Sequence, residues 1–161
     1  MTSETDTARE MFRHTLATLA YRSGKVLRGV NADFATFPNG EHGRTPLELL
    51  AHLAELLEWG LSIAKGNETW SKVKPKDWEH ERERFFAALS AFDQFLASAE
   101  PMRCPPQRLF QAPIADALTH VGQLALLRRL AGIPIRGENY FLADIATGRV
   151  GPEQSAPNFE F

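Results

Sequence analysis

Apolar residues recur at intervals of three and four along four long segments of the chain, which is the spacing of one face of an α-helix. The first segment runs from about Thr5 to Leu27, and the second from Pro46 to about Lys65. The third covers about Lys76 to Ala99, and the fourth opens at Pro113 and continues to about Ala131. No segment shows the alternation of a half-buried strand, so the pattern predicts an all-α protein.

The helix ends carry capping signals. Thr45, followed by Pro46 and Glu48, matches a capping box with proline at the first helical position. Asp77 is predicted to cap the third helix, and Gly132 stands where a glycine commonly ends the fourth. Four amphipathic helices predict a four-helix bundle. The link between the second and third helices is long for a tight antiparallel turn, so a crossover topology is an alternative.

The chain has 161 residues, which predicts a single domain over 1–161, with the bundle at about 5–132. The tail, 133–161, is rich in glycine and proline and shows no long period. Its aromatic residues are too apolar for a free tail: Tyr140, Phe141, Phe159 and Phe161. We therefore expect an irregular tail that packs on the bundle.

Composition narrows the class of protein. The formal net charge is −2, so nothing favours nucleic acid or an anionic membrane as a partner. No segment reaches the roughly 18–20 apolar residues of a membrane span, and the polar, acidic start differs from a signal peptide. A single cysteine allows no internal disulfide. These features predict a cytoplasmic protein.

Candidate chemistry lies on the second and fourth helices. His52 shares an apolar face with Leu49 and Leu56, while Asp116 and His120 are four apart and share another face. Both histidines lie near the middle of their helices, so in neighbouring helices they meet at similar depth whichever way the helices run. Two imidazoles and one carboxylate converging inside a bundle form a site for a first-row metal, with positions left for water or substrate.

A plainer interpretation stays open beside the metal site. A buried histidine is often a hydrogen-bonded core residue, and Asp116 near a helix start is favoured by the helix dipole. Other chemical groups carry weaker signals. His52 and Glu55 stand in the reverse order to the Glu-x-x-His motif of di-iron bundles. His14, next to the apolar face of the first helix, is a further candidate to reach the interior of the bundle. Cys104 has no base beside it in the sequence that could activate its thiol.

The segments RTPLELLAH at 44–52 and DALTHVGQ at 116–123 together resemble the DinB/YfiT-like superfamily. Members of that superfamily are four-helix bundles, often dimers, that hold a divalent metal on three histidines. By this resemblance His52 matches the first ligand and His120 the last, and Asp116 stands where the other histidine belongs. Aspartate binds the same metals, so the resemblance implies a site of two histidines and one carboxylate.

The resemblance also implies a function. Known members include transferases and isomerases that use low-molecular-weight thiols, so we expect a metalloenzyme in which a divalent metal activates a small thiol or water for transfer or hydrolysis. Zinc, nickel, iron and manganese all suit such ligands. Gln123, one turn from His120, is a candidate to orient a ligand or the substrate, and a homodimer is expected. The alternative is a non-catalytic bundle that dimerises or binds a small apolar ligand.

Overall fold

The computed structural model describes residues 4–161, and the chain over that range is all-helical apart from turns and loops. Five α-helices are α1 (Glu4–Leu27), α2 (Pro46–Ala64), α3 (Trp78–Ala97), α4 (Pro106–Leu109) and α5 (Ala115–Leu130). Short 3₁₀ turns cover Ala32–Thr36 and Tyr140–Leu142, and the pairing between Glu138 and Glu160 is an isolated bridge. The prediction of an all-α fold is confirmed for this range.

The four long helices form a closed ring of neighbours in the order α1, α3, α2, α5. Arg9, early in α1, donates to the carbonyls of Phe95 and Leu96 at the end of α3, so these two helices are antiparallel. Arg128, late in α5, reaches the carbonyl of Val26 at the end of α1, so those two are parallel. The buried apolar residues of all four long helices form one core.

The helix α2 runs antiparallel to α5, since Gly60 near its end faces Pro113 just before α5. It follows that α2 and α3 are parallel neighbours, and the link 65–77 must return along the length of the bundle. The crossover topology that the length of this link suggested is the one observed. This return brings the link alongside the face of α2 that carries His52.

The predicted helix ends are largely confirmed. Thr45 Oγ1 accepts from the backbone N–H of Glu48, and the Glu48 carboxylate accepts from the N–H of Thr45 in return. Asp77 accepts from the N–H of His80 at the start of α3. Gly132 has φ of +75°, the left-handed conformation that ends a helix at glycine.

The predicted start of the fourth helix is wrong. Helical backbone already begins at Pro106, and Pro113 lies inside a π-helical turn that spans Phe110–Ile114 and leads without a break into α5. Proline lacks an N–H and its ring crowds the preceding turn, and the wider π turn accommodates both. The sequence signal of a proline at a helix start therefore marked a bulge within a longer helical stretch.

The tail packs on the bundle as expected, and Tyr140 contacts Tyr21 of α1, but aliphatic residues contribute most of the packing. Val150 is buried, and Ile133, Ile135 and Ile145 pack against the core. Glu138 is also buried, whereas Phe141 is 93% exposed and Phe161 is 81% exposed. The expectation that the aromatic residues anchor the tail is wrong for these two. Within residues 4–161, no helix is long and apolar enough to cross a membrane.

Candidate metal centre

Two neighbouring, antiparallel helices bring the candidate ligands together. His52 on α2 and His120 on α5 lie edge to face, with ring centroids 4.9 Å apart. Asp116 lies one turn before His120 on the same face of α5, as predicted. The long separation in sequence is thus closed by the packing of α2 on α5, and the matching depth of the two histidines is confirmed.

The ligand atoms converge on one point. His120 Nε2 lies 3.3 Å from Asp116 Oδ1, and His52 Nε2 lies 3.9 Å from Asp116 Oδ2. All three residues offer an atom within 4.8 Å of the others. Both imidazoles are largely buried, while the Asp116 side chain is 46% exposed, so the cluster opens to solvent on the carboxylate side.

The other nitrogen of each imidazole is held by a neighbour on its own helix. His52 Nδ1 lies 3.3 Å from Glu55 Oε2, and His120 Nδ1 lies 2.8 Å from Gln123 Oε1. An ionised carboxylate can only accept, so the proton of a neutral His52 sits on Nδ1 and the lone pair on Nε2. The amide oxygen of Gln123 has the same effect on His120. Such partners fix the tautomer and orientation of histidine ligands in metal sites.

Burial lowers the pKa of His52 below its ordinary value. The hydrogen bond to Glu55 opposes this shift, and the charges of Arg44 and His120 add to it. A lowered pKa favours the neutral imidazole, which is the form that binds metal. The environment of His52 therefore suits a ligand better than a charged partner of Asp116.

The chemistry of this donor set fits a metal ion. With protons on both Nδ1 atoms, two Nε2 lone pairs and a carboxylate face each other, and within residues 4–161 no donor hydrogen bond joins them. Acceptors pointed at one another repel, and a cation between them removes that repulsion. Three protein ligands with an open side are typical of a catalytic rather than a structural metal site.

The returning link covers one side of the cluster. Trp70 packs edge to face on His52 with a centroid distance of 5.7 Å, and on Trp59 at 5.4 Å. The backbone N–H of Val73 donates to Glu55 Oε1 at 2.9 Å, so the carboxylate that holds His52 also holds the link. Glu55 was not among the predicted site residues. Its spacing of three from His52 was the signal for it in the sequence.

Two cavities lie on either side of the cluster along α5. One, of about 480 Å³, is lined by Trp59, Gln111 and Asp116, among others. The second, of about 390 Å³, is lined by Arg44, His120 and Gln123 together with aliphatic side chains. Both volumes lie in the range of small-molecule sites. Substrate-sized space therefore borders each end of the ligand cluster.

The remaining candidates from the sequence lie elsewhere. His14 faces Thr147 on the tail and does not join the cluster. Burial raises the pKa of the Cys104 thiol, which disfavours the reactive thiolate.

Comparison with known protein families, with curated proteins and with solved structures found no match for this chain. The assignment of the site therefore depends on its geometry.

Proposed function

We propose that this protein is a metal-dependent enzyme in which His52, Asp116 and His120 hold one divalent metal ion. When bound, that metal would lower the pKa of a small thiol or of water and so supply a nucleophile for transfer or hydrolysis. The observation that carries the proposal is the convergence of two Nε2 atoms and a carboxylate with no donor between them.

The protein's own residues supply orientation and access. Glu55 and Gln123 keep the Nδ1 protons in place, so both Nε2 lone pairs point at Asp116. Trp70 excludes water from one face of His52, while the exposed side of Asp116 leaves an approach for substrate. Buried, oriented ligands with one open side are what a catalytic metal requires of its protein.

The resemblance of segments 44–52 and 116–123 to the DinB/YfiT-like superfamily supports the same function. We propose that the chain belongs to that superfamily. The departure is Asp116, which gives two histidines and one carboxylate in place of three histidines. This set suits zinc, nickel, iron and manganese alike, and geometry decides among them. A homodimer, a low-molecular-weight thiol as co-substrate and a cytoplasmic location stay predictions.

Metal analysis of protein purified without an affinity tag tests the proposal. Wild-type protein should bind about one equivalent of Zn²⁺, Ni²⁺ or Fe²⁺, and His52→Ala and His120→Ala should lose it. His42→Ala is the matched control, because His42 is exposed in a loop outside the cluster and should leave binding unchanged. Wild-type protein that stays metal-free after incubation with all three ions contradicts the proposal.

Substitution of Asp116 tests the third ligand. Asp116→His should keep or raise metal affinity, while Asp116→Ala should lower it. Equal affinity in wild type and both variants would show that Asp116 is not a ligand. A screen of the loaded protein against small thiols with electrophiles, and against hydrolysable esters, then separates transfer from hydrolysis.

A second candidate function has its own observation. A cavity of about 410 Å³ between α1 and α4 is lined mainly by apolar side chains, including Met11, Phe12 and Phe110. This cavity favours a non-catalytic bundle that binds a small apolar ligand. Binding of an apolar dye that Phe110→Ser abolishes, in protein that takes up no metal, would favour this second function.

A further inference from the structure

A cavity beside the metal cluster combines a basic group with an aliphatic wall. Its polar lining comes from Asn39, Arg44 and Gln123, with His120 at the end nearest the cluster. Leu49, Leu126 and Leu127 form the aliphatic part. None of the lining residues is acidic. A cavity of about 390 Å³ with one polar and one aliphatic wall suits a small molecule that has a charged end and an apolar body.

Arg44 brings an uncompensated charge to this cavity. Its side chain is exposed, and no carboxylate within residues 6–161 lies at ion-pair distance from its guanidinium. Two arginines that line other cavities are paired with carboxylates, Arg13 with Asp93 and Arg82 with Glu79. A guanidinium presents a planar fork of donors that matches a carboxylate.

The loop before α2 holds Arg44 in place. Asn39 Nδ2 donates to the carbonyl of Arg44 at 3.3 Å, which closes the segment 39–44 on itself. A Cβ on Gly43 would lie only 1.7 Å from the carbonyl oxygen of Asn39, so this close approach requires glycine. The backbone that carries Arg44 is thus positioned by contacts within the loop, and not by a partner for its charge.

Gln123 adds a second donor. Its Oε1 pairs with His120 Nδ1, which leaves its amide N–H₂ without a hydrogen bond within the described part of the chain. The cavity on the other side of the cluster has no lysine or arginine in its lining. A negatively charged group is therefore favoured in the cavity of Arg44 and disfavoured beside Asp116.

We propose that this cavity binds a small organic acid, with its carboxylate on Arg44 and Gln123 and its aliphatic part against Leu49, Leu126 and Leu127. This inference rests on the proposed function, because it assigns the substrate class of the same site. The acid's carboxylate would then lie beside His120, which pairs with Gln123, and its aliphatic part would extend away from the cluster. The substrate is accordingly an acid with a short aliphatic body.

Binding of hexanoate, followed by NMR titration with metal-free and with Zn²⁺-treated protein, tests the inference. Arg44→Gln should weaken hexanoate binding at least about tenfold, because a hydrogen bond between charged groups is lost. Arg44→Lys should lose less of the affinity for hexanoate, because it keeps the positive charge. Arg108→Gln, which removes an exposed charge outside the cavity, should change nothing. Hexanamide, the uncharged analogue, should bind at least about tenfold more weakly than hexanoate to the wild type.

The metal-free arm separates this inference from the proposed function. If zinc does not bind but Arg44→Gln still weakens hexanoate, the acid site stands and the metal proposal fails. If zinc binds and hexanoate has equal affinity for wild type and Arg44→Gln, the carboxylate is held by the metal alone and the acid site is refuted. Absence of hexanoate binding to wild type in both arms refutes it as well.

Discussion

Two of the polar clusters in this protein differ in how fully their groups are paired. In the first, Lys25 Nζ lies 2.9 Å from Glu138 and 2.7 Å from Glu160, and the Tyr21 hydroxyl donates to Glu138 at 2.6 Å. In the second, His52, Asp116 and His120 present acceptors to one another. The first cluster satisfies its own charges and joins the tail to α1, whereas the second lacks such pairing and could hold a metal ion.

The pKa values follow this division. Burial, and then the hydrogen bond to Glu138, raise the pKa of Tyr21, so its hydroxyl remains a donor. Burial by itself lowers the pKa of Lys25, but the hydrogen bonds to Glu160 and Glu138 outweigh it and leave that pKa raised. In the second cluster burial outweighs the hydrogen bond to Glu55, and the pKa of His52 is lowered. The comparison teaches that pairing, more than burial, separates a structural cluster from a candidate binding site.

The largest expected effect is on the paired cluster. Lys25→Met leaves the fully buried carboxylate of Glu138 without its cation, and we expect the free energy of unfolding to fall by about 3–5 kcal/mol. Urea denaturation measures this, with metal affinity as the property that should not change. The double variant with Glu138→Leu should recover most of the loss, because it removes the uncompensated charge.

This stabilisation has a defined pH range. The raised pKa of Lys25 means that its contribution is fully present below the ordinary lysine value of about 10.4 and is lost as pH rises through the folded value. The hydrogen bond from Lys25 lowers the pKa of Glu160, whose contribution is lost on acidification. The free energies of unfolding of wild type and Lys25→Met should thus differ by a constant amount between about pH 5 and pH 10. A difference confined to acid or alkali would contradict the pairing.

The second effect concerns the unpaired cluster. Zinc at about 100 times its dissociation constant should stabilise wild-type protein by about 2.7 kcal/mol, since it binds only the folded state. The same increment should appear in Lys25→Met, because the two clusters share no residue. Thermal unfolding with and without zinc measures both. An increment that persists in His52→Ala would place the ion elsewhere.

A smaller effect tests the residue that orients His52. Glu55→Gln replaces one of two accepting oxygens with an N–H₂ group, so either His52 Nδ1 or the N–H of Val73 loses its partner. Metal affinity should fall about 10- to 100-fold. Glu58→Gln is the matched control, one turn along α2 and paired with Arg84. Zinc competition with a chelator provides the readout, and equal affinities in both variants would reject the role of Glu55.

The smallest effect is at Cys104, which belongs to neither cluster. Burial raises its pKa, so less thiolate is present at neutral pH than in a free cysteine. Alkylation by iodoacetamide at pH 7.5 should be several-fold slower than that of glutathione and should not change with zinc. Fast alkylation that zinc suppresses would make Cys104 part of the metal site.

Much of the local structure could be predicted from the amino-acid sequence. The capping box at Thr45, the cap at Asp77 and the glycine stop at Gly132 each depend on neighbours within a few residues, and each was predicted. The start of the fourth helix was not, because Pro113 carries the same sequence signal at a helix start and inside a π turn. Exposed Phe141 and buried Glu138 show the same limit, since hydrophobicity alone does not say which tail residues meet α1.

By itself the sequence determined four amphipathic helices and the placement of His52, Asp116 and His120 on helix faces, since periodicity and capping are local properties. Only the tertiary structure decided that α2 packs beside α5, that the link returns over His52, and that Glu55 and Arg44 border the site. These depend on which apolar faces bury each other and where the chain reverses. Such contacts join residues far apart in the chain, so no local pattern encodes them.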